Sequence, residues 1–120
     1  MKIEVHKEDK RGNVYTLLDE LQYKDLTVPV GFESDGASVP RFFWRWVFPP
    51  GDCKALRAAF LHDYVYRTHP KGWDKDMADR MFREVLLEDG MDARYARRAY
   101  WGVRLFGRSA WEAGRQHGGK

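Results

Sequence analysis

Asp52-Cys53-Lys54-Ala55-Leu56-Arg57-Ala58-Ala59-Phe60-Leu61-His62-Asp63-Tyr64-Val65-Tyr66-Arg67-Thr68 is the stretch from which the rest of the chain can be read. Its apolar residues recur with helical period, which predicts a helix capped by Asp52 and running to about Thr68. Only a narrow strip holding Lys54 and Arg57 faces water; Ala55, Leu56, Ala58, Ala59, Phe60, Leu61, Val65 and Tyr66 bury the helix nearly all round. His62 and Asp63 flank the Ala55-Ala59-Tyr66 stripe, on the enclosed side. A buried carboxylate needs a cation or several donors, so Asp63 must have a partner.

Downstream the helical period continues. Asp74 is placed to cap a second helix ending near Asp89, with Gly90 just beyond it. Asp92 is placed to cap a third reaching Phe106, before Gly107. A short turn over Ser109-Ala110-Trp111-Glu112-Ala113 follows, and residues 115–120 read as a flexible tail. Upstream, β-branched and aromatic residues dominate instead. Ile3 and Val5, then Val14 to Leu18, Leu21 with Tyr23, and Leu26 to Val30 predict three or four short antiparallel strands, with Arg11-Gly12-Asn13 as one turn. The fold class is therefore α+β: a small N-terminal antiparallel β-sheet over 1–32, then a three-helix region over 52–114, in a single domain spanning 1–120. Between them lies a long loop, 33–51, which holds Ser34-Asp35-Gly36-Ala37-Ser38-Val39-Pro40 and an aromatic run from Phe42 to Phe48; long loops in compact domains tend to be functional.

The 120 residues, 43% hydrophobic and 15% aromatic, suffice for one packed core. The one cysteine, Cys53, rules out an intrachain disulfide and a multi-cysteine zinc site. No secretory h-region opens the chain and no apolar run reaches bilayer length, so the expectation is a soluble protein of the cytosol. G-x-S-x-G, P-loop and H-E-x-x-H patterns are absent.

Short connections favour antiparallel helix neighbours, and the second helix offers Ala78, Met81, Phe82, Val85 and Leu86 as an apolar face with Asp79 at its border. Paired in this way, Asp79 reaches a ring nitrogen of His62, fixing the tautomer and leaving the other nitrogen as a base. Asp63 then faces the preceding loop, where backbone carbonyls and Asp35 complete an all-oxygen site for Ca²⁺. A base, an orienting acid and a hard cation are what ester hydrolysis requires. The competing reading is a structural lock, with the pair hydrogen-bonded inward and Asp63 satisfied by Arg41 or a helix N-terminus.

The third helix divides cleanly. Tyr95, Ala96, Ala99, Tyr100, Val103 and Phe106 point one way; Arg94, Arg97, Arg98, Trp101, Arg104, Leu105 and Arg108 point the other. Tryptophan and leucine among arginines suit an anionic surface: lipid headgroups, nucleic acid or an acidic protein. The alternative is a solvated face whose apolar members pack on the C-terminal tail or on another subunit.

His62-Asp63-Tyr64-Val65-Tyr66, then Ala78-Asp79 with Phe82, then Ala99-Tyr100 with Val103-Arg104 and Phe106-Gly107, resembles secreted phospholipase A2 over about residues 58–111, with the three segments in the same order. Val65 and Ala78 stand where that family has cysteines, and the nearest substitute for its calcium loop, Gly31 to Gly36, lies farther upstream. The resemblance implies that His62 is the base that activates water, Asp79 its partner, Tyr66 the hydroxyl steadying Asp79, and Asp63 a calcium ligand. A second resemblance covers nearly the whole chain. Phe32 with Ser34 to Pro40, followed by His62 to Tyr66 and Ala78-Asp79, is similar to the phage-borne domain-of-unknown-function family 1353. That implies a phage or prophage origin, a place in the host cytoplasm or the virion, and no set activity.

Three functions follow from these readings. The first is a calcium-dependent hydrolase with a phospholipid or membrane partner. The second is a non-enzymatic tail or baseplate accessory partnered by other virion proteins. The third is a host-directed binding module using the arginine face. Nucleic acid ranks behind the other partners.

Overall fold

The computed structural model describes residues 3–8, 12–34 and 56–118. The class is α+β, and chain contacts gather into two compact units, Met1–Asp35 and Gly36–Lys120.

The first unit holds β1 (Ile3–Glu8), β2 (Gly12–Leu17), β3 (Leu21–Tyr23), β4 (Leu26–Val28) and β5 (Glu33–Ser34). All pairings are antiparallel, in two sheets: β1-β2-β5, and the hairpin β3-β4. The hairpin closes over two residues, Lys24 and Asp25; Lys24 takes a left-handed φ of 51°, the sign that matches a two-residue turn to strand twist. Period-two patterning holds in β4, where Leu26 and Val28 are buried and Thr27 is exposed. Glu33 and Ser34, expected as the start of the loop, instead pair with Thr16 and Tyr15. The free edge of β2 accounts for this: Gly31 N–H donates to Leu17 O at 2.8 Å and Leu17 N–H to Phe32 O at 3.0 Å, which brings the chain back alongside. The rest of the expected loop, with Asp35, Arg41 and the proposed cap Asp52, lies outside the described residues.

The second unit contains α1 (Leu56–Thr68), α2 (Lys75–Glu88), α3 (Ala93–Phe106) and α4 (Arg108–Gly118) among its described residues. Two of the expected caps form: Asp74 accepts from Met77 N–H and Asp92 from Arg94 N–H. At the end of α2, Gly90 N–H donates to Leu87 O and Met91 N–H to Leu86 O. Gly90 has φ of +92°, which only glycine adopts without strain. Arg57 near the start of α1 bonds Glu88 and Asp89 at the end of α2, while Tyr66 near the end of α1 bonds Asp79 near the start of α2. The two helices are thus antiparallel. Arg57, expected in the exposed strip, is in fact held by this ion pair, and Asp89 raises its pKa. The core is Ala58, Phe60, Leu61, Val65 and Tyr66 of α1, Ala78, Met81, Phe82, Val85 and Leu86 of α2, and Ala96, Ala99 and Val103 of α3.

α4 corrects the expectation of a short turn and a flexible tail: the backbone is helical through Gly118. The glycines and polar residues of this segment hide the helix from sequence. Packing supplies the missing stabilisation, since Trp111 stacks on His69 at 3.7 Å and meets the Tyr66 ring edge-on at 5.2 Å.

Candidate functional site

Small residues on α1 and α2 let the two helices close over polar side chains placed between aromatic ones. His62, 1% exposed, lies 4.1 Å from the Tyr66 ring and 4.9 Å from that of Phe82, centroid to centroid. Asp79, on the facing helix, has no exposed surface. Its Oδ1 sits 2.8 Å from His62 Nε2 and accepts from the Tyr66 hydroxyl at 2.6 Å. Its Oδ2 accepts from Lys75 Nζ at 2.7 Å, with an Arg104 nitrogen 3.9 Å away.

These contacts decide the charge state. Burial opposes ionisation of Asp79, but the hydrogen bonds from His62, Lys75 and Tyr66, together with the attraction of His62, outweigh it and hold the carboxyl below its usual range. For Tyr66 the same surroundings act the other way: burial first, then the Asp79 carboxylate it donates to, pushes its pKa far upward, so the hydroxyl keeps its proton. An ionised Asp79 must receive a proton at its contact with Nε2, which leaves Nδ1 as the ring nitrogen free to gain or give up a proton. Among the described residues Nδ1 makes no hydrogen bond.

The structure therefore brings His62, Tyr66 and Asp79 together. Asp63 follows His62 on α1 at 5% exposure and is not without an interaction of its own. Asp35 lies outside the described residues, so the proposed Asp63–Asp35 pairing does too. Among the described residues no group of three or more His, Cys, Asp or Glu side chains is placed to hold a metal ion.

Two residues of the site escaped the sequence reading. Lys75 bridges three groups: besides Asp79, its ammonium donates to Val103 O at 3.2 Å and Arg104 O at 3.4 Å, carbonyls at the C-terminal end of α3. Its spacing of four residues before Asp79 was the available signal. Gly107, which caps α3, is the second. A β-carbon there would meet Val103 O inside contact distance and the Tyr66 hydroxyl at 2.7 Å, so the close approach of Tyr66 requires glycine.

The third helix is corrected in part. Arg94, Arg97, Trp101, Leu105 and Arg108 are exposed, as the two-faced reading expects. Arg104 is exposed as well, and its guanidinium donates to Asp76 Oδ1 of α2 at 2.8 Å. Arg98 is half-buried, with its guanidinium 5.7 Å from the Tyr95 ring centre. Phe106, expected inward, is 42% exposed.

Residues 15–103 match the family described as Protein of unknown function (DUF1353). Two proteins of Sinorhizobium fredii (strain NBRC 101917 / NGR234) are similar. Uncharacterized protein y4jT is 32% identical over 80 residues, 67% of this chain and 23% of its own length. Uncharacterized protein y4iH is 29% identical over 75 residues, 62% of this chain and 30% of its own. The chain thus spans less than a third of either relative. No solved structure matches it.

Proposed function

The chain belongs to the DUF1353 family, and from that premise we propose that it is a small phage- or prophage-encoded ester hydrolase of phospholipase A2 type. The observation that carries the reading is Asp79 Oδ1, buried and shared between His62 Nε2 and the Tyr66 hydroxyl. An ionised carboxylate holding one imidazole nitrogen leaves the other basic and stabilises the imidazolium that forms. In this mechanism His62 Nδ1 takes a proton from water as the water oxygen attacks an ester carbonyl. The imidazolium then returns that proton to the departing alkoxide. Tyr66 and Lys75 hold Asp79 in place and keep it charged. Asp63 is the group proposed to hold Ca²⁺, which when bound would supply positive charge opposite the developing oxyanion.

The test uses His62→Gln and release of fatty acid from mixed phospholipid vesicles with calcium. Loss of a positioned base should lower the rate by about 10²–10⁴-fold, while denaturant unfolding moves far less. Calorimetric titration of calcium into wild type and Asp63→Asn checks the cation, with binding expected in the first and lost in the second. Wild-type protein that releases nothing from any vesicle, with or without calcium, would sink the reading.

A second reading has its own observation. His62 and Asp79 are almost wholly enclosed, and Lys75 occupies the remaining carboxylate oxygen. A site so closed also suits an internal lock in a non-enzymatic virion component. Then His62→Gln should cost about 1–3 kcal/mol of stability through unsatisfied partners, with no activity to lose.

A further inference from the structure

α3 buries Ala96, Ala99, Gly102 and Val103 and turns other side chains to water. Trp101 is 54% exposed and Leu105 70%, one helical turn apart. Arg97 lies one turn before Trp101, and Arg108 follows Leu105 just past Gly107; both are exposed. The helix carries four arginines and no acidic residue. Arg104 is engaged with Asp76, and Arg94 lies 3.9 Å from Asp92. Arg97 and Arg108, by contrast, have no ion pair among the described residues.

A lone exposed leucine is ordinary. A leucine beside a tryptophan on a ridge whose own charges are all positive is the make-up of a helix that lies on an anionic interface. Nucleic acid would use the cations and the indole ring but leave Leu105 in water. A convex ridge of this kind needs a matching groove in a protein partner, whereas a lipid surface deforms to meet it. We infer that the outer face of α3 docks on an anionic phospholipid surface, with Trp101 and Leu105 entering the boundary between headgroups and acyl chains and Arg97 and Arg108 meeting lipid phosphates. Docking needs no hydrolysis, so it stands or falls separately from the chemistry at His62.

The test is flotation of the full chain with phosphatidylcholine vesicles containing about a third phosphatidylglycerol, and with pure phosphatidylcholine, in EDTA. Binding is expected to the anionic vesicles only, and to weaken as salt rises from about 0.1 to about 0.5 M. Leu105→Ala should weaken it about tenfold, and Arg97→Ala with Arg108→Ala by about as much. Trp101→Phe should remove the blue shift in emission that accompanies binding. All four side chains are exposed, so unchanged circular dichroism separates lost binding from lost fold. His62→Gln should float like wild type; vesicles that bind the protein yet release no fatty acid once calcium replaces the EDTA would end the hydrolase reading and leave docking intact. Equal binding to both vesicles, binding to neither, or indifference to Leu105→Ala overturns the inference. A chain that sediments as a dimer, split by Leu105→Asp, overturns it too and gives the face to a second copy.

Discussion

At the scale of single residues, Asp79 organises the helical unit. It accepts from three side chains drawn from two helices, and each donor answers a different need. Lys75 supplies the full positive charge, so Lys75→Met should leave a buried carboxylate one cation short and take a donor from the Val103 and Arg104 carbonyls. We expect a loss of about 2–4 kcal/mol in urea unfolding. The ring 15N shifts of His62 should change as well, because its partner carboxylate gains proton affinity. A variant with wild-type stability and an unmoved imidazole signal would show Lys75 to be a bystander. His62, Asp79 and their contact were legible in the sequence, because helical spacing alone puts them on facing inner surfaces. Lys75 was not, since a lysine at the start of a helix usually points to solvent.

Elements owe their ends to local chemistry and their company to packing. Gly90 sits at +92° with nothing within 4 Å of a β-carbon, so Gly90→Ala tests backbone conformation alone. It should destabilise by about 1 kcal/mol, seen as a lower thermal midpoint with unchanged helix content; a neutral or stabilising outcome would refute the strain argument. Gly107 is the opposite case, where space decides. Gly107→Ala should push the Tyr66 ring from its seat and loosen the junction of α3 and α4, read as faster amide exchange across Arg108–Gly118. Trp111→Ala should melt the same segment by removing the stack on His69 and the edge contact with Tyr66. Retained exchange protection in α4 after that change would mean the helix holds by other contacts.

For the molecule as a whole, the titrating groups of the site predict how stability follows pH. The carboxyl of Asp79 is lowered on folding, so its contribution is present above the unfolded value near pH ~4. That contribution is lost as pH falls through the lower folded value. Tyr66 is raised on folding, so its contribution is complete below the unfolded value near pH ~10 and is lost as pH climbs above it. Unfolding free energy should therefore fall on both flanks. Tyr66→Phe should flatten the alkaline flank by up to about 1.4 kcal/mol per pH unit, and Asp79→Asn should flatten the acid one. Parallel wild-type and mutant profiles across both flanks would contradict this assignment.

What the sequence determined by itself was local: the change from a two-residue to a helical period, the caps at Asp74 and Asp92, the stop at Gly90, and the inward placement of His62, Asp63 and Asp79. Each depends on neighbours a few positions away, which spacing displays directly. What tertiary structure alone decided were the pairings across elements. They are the return of Glu33–Ser34 to the free edge of β2, the capture of Arg104 by Asp76, the bridge from Lys75 to the end of α3, and α4 itself. α4 has weak local propensity, with glycines in a polar run, and Trp111 anchors it through His69 and Tyr66. That stabilisation comes from a surface some forty positions away along the chain, between Trp111 and His69, and no periodicity within the segment records it.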